Sequence, residues 1–153
     1  MKNSLVLQQE DVIAELAAGT KYEVLEELAL RAVERHPGVD KTELLRVLQD
    51  RERLGSTGIG DGIAVPHGKL RHAREVLSVF GRSRSGIDFN ALDGRKVHLF
   101  FLLVAPEEAV GIHLKMLARI SRLLKDSTVR GRLLEAKDEA SLFSIIRDQD
   151  SRF

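Results

Sequence analysis

Apolar residues recur at helical spacing in two stretches near the start of the chain. The first stretch follows Thr20 and predicts a helix that stops at residues 36–38 (HPG), where proline and glycine break the pattern. The second follows Asp40 and predicts a helix running to about Arg53. Thr20 and Asp40 each precede a glutamate by three residues, a capping-box pattern with an acidic variant at Asp40, so both helix starts are predicted locally.

The middle of the chain changes to strand-like patterns. Residues 63–67 (IAVPH) and 76–82 (VLSVFGR) predict short strands, and residues 97–105 (VHLFFLLVA) predict a central strand. A continuous apolar strand of this kind is usually covered on both faces. Residues 11–16 (DVIAEL) are a further candidate for a short strand. Residues 81–96, between two of these strands, predict an irregular surface loop with turns.

Helical spacing returns at Gly111 and continues through Leu124. Ser127 is the predicted cap of a following helix, and Asp138 is the predicted cap of the last one. The order is helices, then strands, then helices, which predicts an α/β fold in which a sheet is covered by helices. The length of 153 residues fits a single domain over residues 1–153.

Charge and composition exclude several classes of protein. Lys and Arg total 24 against 23 for Asp and Glu, a formal charge of +1, so no basic excess indicates nucleic-acid binding. The small basic clusters in RERLGS and RSRS are interpreted as solvated surface. The chain contains no cysteine, and neither its start nor its apolar run is long enough for a signal peptide or a membrane span. We therefore expect a cytoplasmic protein without membrane insertion.

Residues 55–69 (GSTGIGDGIAVPHGK) carry five glycines and end in Pro-His-Gly. The stretch lacks the Gly-Lys-Ser/Thr ending of a phosphate-binding P-loop. A helix precedes it and a strand follows, the reverse of the dinucleotide-binding order. Two interpretations remain open: glycines that serve turns, and glycines whose backbone amides converge on an anion.

The second interpretation centres on His67. Pro66 restricts the backbone before it and Gly68 frees the backbone after it, so the ring can be held rigidly and stay accessible. A neutral imidazole with one nitrogen oriented by a hydrogen bond leaves the other as a nucleophile, which suggests a phosphohistidine site. The predicted phosphate-binding groups are those of the preceding stretch: Ser56, Thr57, Gly58, Gly60 and Gly62. The alternative is a structural histidine.

Two residues elsewhere are candidates for the same site. His113 lies near the start of the helix that follows the central strand, and an exposed helix-start residue is an equally good interpretation. Arg51 is a candidate phosphate clamp because its planar guanidinium matches phosphate oxygens, although a solvated charge is the simpler interpretation. His36, His72 and His98 are expected to be a helix-end residue, a surface residue and a partnered structural residue, respectively.

Residues 51–69 and 111–124 together closely resemble the IIA domain of the bacterial phosphoenolpyruvate:sugar phosphotransferase system. The match is to the fructose/mannitol type, with the nitrogen-regulatory IIA proteins most similar, and covers about residues 5–148. The resemblance implies a mixed sheet flanked by helices. It also implies that His67 accepts phosphate, that His113 helps to hold the phosphoryl group and that Arg51 is the active-site arginine.

The family pattern includes a Ser-Thr pair at the loop entrance, which Ser56 and Thr57 match. Val65 and Asp61 stand where isoleucine and asparagine are common. Because a carboxylate pointing at a phosphate would repel it, Asp61 is expected to face solvent.

The function implied by the resemblance is that of a phosphoryl carrier, a phosphotransferase in this limited sense, with no cofactor. Its donor would be the HPr phosphocarrier or a nitrogen-type homologue, and its phosphorylation state would regulate a target protein. An alternative is a sugar-specific IIA that passes phosphate to a separate IIB. A docking module that is not phosphorylated at His67 and a metal site formed by His67 and His113 are weaker alternatives.

Overall fold

The computed structural model describes residues 5–152 and shows a six-stranded mixed sheet flanked by helices in a single domain. The predicted domain bounds of 1 and 153 lie outside the described residues. A short 3-10 turn (Gln9–Asp11) precedes the first strand. The strands are β1 (Val12–Ile13), β2 (Gly58–Gly60), β3 (Ile63–Ala64), β4 (His67–Leu70), β5 (Leu77–Ile87) and β6 (Val97–Pro106). The helices are α1 (Lys21–Arg35), α2 (Lys41–Arg53), α3 (Val110–Lys125), α4 (Ser127–Glu135) and α5 (Glu139–Asp150).

The sheet is built around β6, the predicted central strand. Its order is β1-β5-β6-β3-β2, with β4 pairing to β6 on the same side as β3 but further along the strand. Pairs β1–β5, β3–β6 and β4–β6 are parallel, whereas β5–β6 and β2–β3 are antiparallel. This arrangement confirms the mixed sheet.

Helices cover both faces of the sheet, as the uninterrupted apolar pattern of β6 predicts. Phe100, Leu102 and Val104 pack into a core formed with α1 and α2. Phe101 and Leu103 alternate with them and face a second core formed with α3, α4 and α5. Because strand side chains alternate between faces, β6 separates the two helical layers.

Local capping signals account for most of the helix starts. The Thr20 hydroxyl accepts a hydrogen bond from the Glu23 amide, and the Asp40 carboxylate accepts from two amides of the first turn of α2. Asp138 caps α5 as predicted. The prediction of Ser127 as the cap of α4 is wrong: the Asp126 carboxylate accepts the first-turn amides, and Ser127 is the first helical residue.

Two predictions about strands and loops need correction. The predicted surface loop 81–96 is wrong in its first half, because β5 continues to Ile87 and pairs there with Val97. Arg82 in this stretch is fully buried and donates to the carbonyl groups of Ala14, Leu133 and Ala136, so it belongs to the interior. The predicted strand 63–67 is two strands, β3 and β4, interrupted by residues 65–66.

No helix within residues 5–152 is long and apolar enough to cross a membrane. The cytoplasmic location stays a prediction.

Candidate phosphoryl-acceptor site

His67 is the first residue of β4, at the edge of the sheet, and one hydrogen bond defines the protonation state of its ring. Its Nδ1 lies 2.7 Å from the Val65 carbonyl oxygen, which can only accept, so Nδ1 carries the proton and donates. The Leu103 amide donates to the Pro66 carbonyl and secures the residue immediately before the histidine. The Nε2 atom therefore presents a lone pair.

Arg51 occupies the last turn of α2 and reaches this lone pair. Its Nε donates to Nε2 of His67 at 3.3 Å, and its Nη1 donates to the Gly55 carbonyl at 2.9 Å. Gly55 has a positive φ of 148°, a conformation that side chains rarely adopt, and this turns its carbonyl back toward the helix end. The helix end and its glycine together aim the guanidinium at the imidazole.

His113 lies in the first turn of α3, with its ring centroid 5.5 Å from that of His67. The residue is 5% exposed, and its Nε2 has no hydrogen-bond partner among the described residues. Burial, with smaller contributions from His67 and Lys69, lowers the pKa of His113 to about 4, so the ring is neutral near pH 7. A buried polar atom without a partner is uncommon and indicates a site that a ligand group can complete.

The pKa of His67 is also lowered, chiefly because burial disfavours the charged ring. The hydrogen bond to Val65 and the charge of Glu52 oppose this effect, while Arg51 and Lys69 add to it. The balance keeps Nε2 unprotonated near neutral pH, as nucleophilic attack requires.

The glycine-rich stretch forms a hairpin rather than an irregular loop. Gly62 accepts hydrogen bonds from the amides of His98 and Leu99, whereas His67 lies beside Leu103. Four residues along β6 correspond to about 13 Å. The register therefore separates Gly62, and Gly60 at the same end of the hairpin, from His67 along β6, and phosphate binding by their amides stays a prediction.

The remaining predicted phosphate-binding groups are already engaged in holding the loop. The Gly58 amide donates to the Ser56 hydroxyl, which itself donates to the Phe89 carbonyl at 2.7 Å. Thr57 is buried; its amide and hydroxyl both donate to the carboxylate of Glu52. In this conformation their contacts shape the segment before His67, and their binding of phosphate stays a prediction.

Glu52 is a residue that sequence reasoning missed, because it lies in a charged run that was interpreted as solvated surface. Its side chain is 6% exposed and pairs with the ammonium of Lys21 at 3.0 Å. Through Thr57, whose carbonyl accepts from the Val65 amide, it supports the same residue that orients His67. The surface interpretation of RERLGS is therefore wrong for Arg51 and Glu52, which are half-buried.

Four other predictions about single residues are confirmed. Asp61 is exposed, His72 is exposed, His36 is the residue that ends α1, and His98 contacts the Ser83 carbonyl through Nδ1 at 3.0 Å.

Within residues 5–152 no group of three or more His, Cys, Asp or Glu side chains could hold a metal ion.

A protein-family model matches residues 5–149 of this chain; it is that of the phosphoenolpyruvate-dependent sugar phosphotransferase system, EIIA 2. The nitrogen regulatory protein of Bradyrhizobium diazoefficiens is 40% identical over 137 residues, which are 90% of this chain and 89% of that protein. The fructose-specific EIIABC component of Bacillus subtilis is 34% identical over 98% of this chain, which spans 24% of that longer protein. The crystal structure of nitrogen regulatory protein IIA-Ntr from Neisseria meningitidis superposes with a TM-score of 0.86 at 30% identity, covering 92% of this chain and 96% of that one.

Proposed function

This chain belongs to the EIIA 2 family of the phosphoenolpyruvate-dependent sugar phosphotransferase system, and from that premise we propose that it is a phosphoryl carrier with Nε2 of His67 as the acceptor. The observation that carries the proposal is the state of this ring. Its Nδ1–H donates to the Val65 carbonyl, and its Nε2 lone pair accepts from Arg51, with the ring centroid of His113 5.5 Å from its own.

The transfer follows from these contacts. The Nε2–P bond forms as the N–P bond of a donor phosphohistidine breaks, and the donor ring keeps the electron pair of the broken bond. Arg51, which now donates to Nε2, moves its hydrogen bond to a phosphoryl oxygen. The Val65 carbonyl stabilises the positive charge that develops on the His67 ring.

His113 supplies the contact that is missing in the unphosphorylated state. A neutral ring can present one N–H, and its buried Nε2 has no partner among residues 5–152. Donating this N–H to a phosphoryl oxygen satisfies an atom that is otherwise left without a hydrogen bond. His113 lies in the first turn of α3, and the first-turn amides of that helix have no side-chain cap within the described residues, so the positive end of the helix dipole near this residue favours an anion.

Exposed apolar side chains flank the proposed acceptor. Leu54 follows Arg51 at the end of α2 and is 85% exposed. Val110, Ile112 and Leu114 surround His113 in sequence at the start of α3 and are also exposed. A protein donor must approach His67 closely, and exposed apolar groups beside the site suit a transient partner of this kind. The proposed donor is an HPr-type phosphocarrier or its nitrogen-type homologue.

The proposed output is regulatory. Phosphorylation adds roughly −1.5 to −2 charges to a protein whose formal charge is +1, so it changes the surface that a target protein meets. The nitrogen regulatory relatives support this output. The fructose-specific relative supports the second candidate, a IIA that passes phosphate to a separate IIB.

Phosphotransfer in vitro tests the carrier. The purified chain is incubated with phosphoenolpyruvate, enzyme I and either HPr or its nitrogen-type homologue, and an acid-labile phosphoryl adduct is measured. We expect labelling of the wild type and of His72→Ala, an exposed control, and none of His67→Ala. His113→Ala is expected to slow labelling without abolishing it.

Each outcome bears on a separate part of the proposal. No labelling from either donor refutes the carrier, whereas labelling of His67→Ala refutes the acceptor. Transfer from the labelled protein to a fructose- or mannitol-type IIB favours the sugar pathway over the regulatory one.

A further inference from the structure

Lys69 stands two residues after His67 in β4, and strand alternation places both side chains on one face. Gly68, between them, faces α2: a Cβ built there would lie 2.5 Å from Cγ1 of Val47. Leu70 points the same way, into the core with α1 and α2. His67 and Lys69 therefore project toward the opposite layer, the one that contains α3.

The pairing of β4 with β6 locates Lys69 between His67 and the start of α3. His67 lies beside Leu103 and Lys69 beside Ala105, close to where β6 ends and the chain turns toward His113. Residues i and i+2 of a strand are about 7 Å apart, which is within the reach of a lysine side chain. The ammonium is therefore within reach of the edges of both imidazole rings.

The charge of Lys69 acts on both histidines. It contributes to lowering the pKa of His67 and of His113, and Arg51 is the other cation with such an effect on His67. No ion pair of the Lys69 ammonium is found within residues 5–152, and the side chain is half-buried. The Lys69 ammonium has no carboxylate partner among the described residues and acts on two neutral rings, so its positive charge is available to an anion.

We propose that Lys69 is a second cationic ligand of the phosphoryl group, contacting its oxygens from the α3 side while Arg51 contacts them from the α2 side. This inference rests on the proposed acceptor role of His67. Two cations on opposite sides offset the charge of the phosphoryl oxygens, and His113 completes the set with a neutral donor. Lysine suits this place because its compact ammonium needs no planar partner.

The test compares Lys69→Met with Lys69→Arg, and uses Lys137→Met, at an exposed position between α4 and α5, as the control for loss of a lysine. Methionine keeps most of the length of the side chain and removes the charge. Labelling by phospho-HPr is measured at increasing donor concentration, which separates the maximal rate from the half-saturating concentration. The lifetime of the isolated phosphoprotein and the pKa of His67 by NMR are measured on the same samples.

For Lys69→Met we expect the maximal rate to fall about 10- to 100-fold with the half-saturating donor concentration nearly unchanged. We also expect a phosphoprotein that hydrolyses faster and a His67 pKa that is higher than in the wild type. Lys69→Arg should recover most of the rate, and Lys137→Met should behave as the wild type.

A change confined to the half-saturating concentration would assign Lys69 to donor docking and overturn the proposal. A wild-type rate and lifetime in Lys69→Met would also overturn it, while leaving His67 as the acceptor. If the wild-type protein itself takes up no phosphate, the carrier function fails, and the contact proposed for Lys69 fails with it.

Discussion

The buried, neutral His113 makes stability depend on pH in a defined direction. Both folded and unfolded states carry a neutral ring above pH 6.5. Between pH 6.5 and about 4 the unfolded chain binds a proton that the folded protein excludes, because burial holds the folded pKa at about 4. The free energy of unfolding therefore falls as the pH falls through this window, and the effect is complete below about pH 4.

The magnitude follows from the two pKa values. Over this window one excluded proton costs about 1.4 kcal/mol for each pH unit, or about 2 kcal/mol at pH 5. The variant His113→Gln has no titrating ring at this position. We therefore expect the unfolding free energy of the wild type, relative to His113→Gln, to decrease by about 2 kcal/mol between pH 7.5 and pH 5.

Urea unfolding followed by far-UV circular dichroism is the suitable assay, since the chain has no tryptophan and one tyrosine. The difference between the two proteins removes the contribution of the many carboxylates, and His72→Gln serves as the control for loss of an exposed histidine. NMR titration of the ring reports the pKa of His113 directly, with the signal of His67, its neighbour, assigned separately. A difference that stays constant from pH 7.5 to 5, or a His113 ring that titrates near 6.5, would refute the reasoning.

Further substitutions test how the site is held and which residue caps α4. Gly68→Ala introduces a methyl group 2.5 Å from Val47, so we expect the free energy of unfolding in urea to fall by about 1–3 kcal/mol and labelling to slow. If adding Val47→Ala to this variant restores neither quantity, the clash is contradicted. Glu52→Gln weakens the contacts that support the segment before His67, so we expect the free energy of unfolding to fall by about 1–3 kcal/mol and the labelling rate to fall as well. An unchanged urea midpoint and an unchanged labelling rate would exclude this supporting role of Glu52. Asp126→Ala should cost about 1 kcal/mol in unfolding free energy and Ser127→Ala much less, and the reverse order would contradict the assignment of the cap.

The elements that the sequence predicts well are those whose signals are local. Thr20, Asp40 and Asp138 bind amides within three residues of themselves, so the helix starts follow from short patterns. The apolar run of β6 predicts a strand buried on both faces, because each face needs its own apolar side chains. At Ser127 two neighbouring residues could cap, and only the backbone conformation of Asp126 decides between them.

The elements that the sequence predicts poorly depend on distant partners. Arg82 looks like a surface residue until carbonyl groups of α4 and its C-terminal end, more than fifty residues away, surround it. Glu52 looks like part of a charged run until Lys21 and Thr57 enclose it. Gly62 belongs to the same glycine-rich stretch as His67, yet the register of the sheet separates them.

Local sequence patterns predict the helices, the central strand and the residue types from which a phosphoryl site could be made, with His67 between a proline and a glycine. Which of those residues meet depends on how distant segments pack and pair. Arg51, His67 and His113 lie on α2, β4 and α3, and they converge because both helical layers reach the same edge of the sheet. Lys69 joins them through strand alternation and the register of β4 on β6, and a register is set by pairing between distant segments.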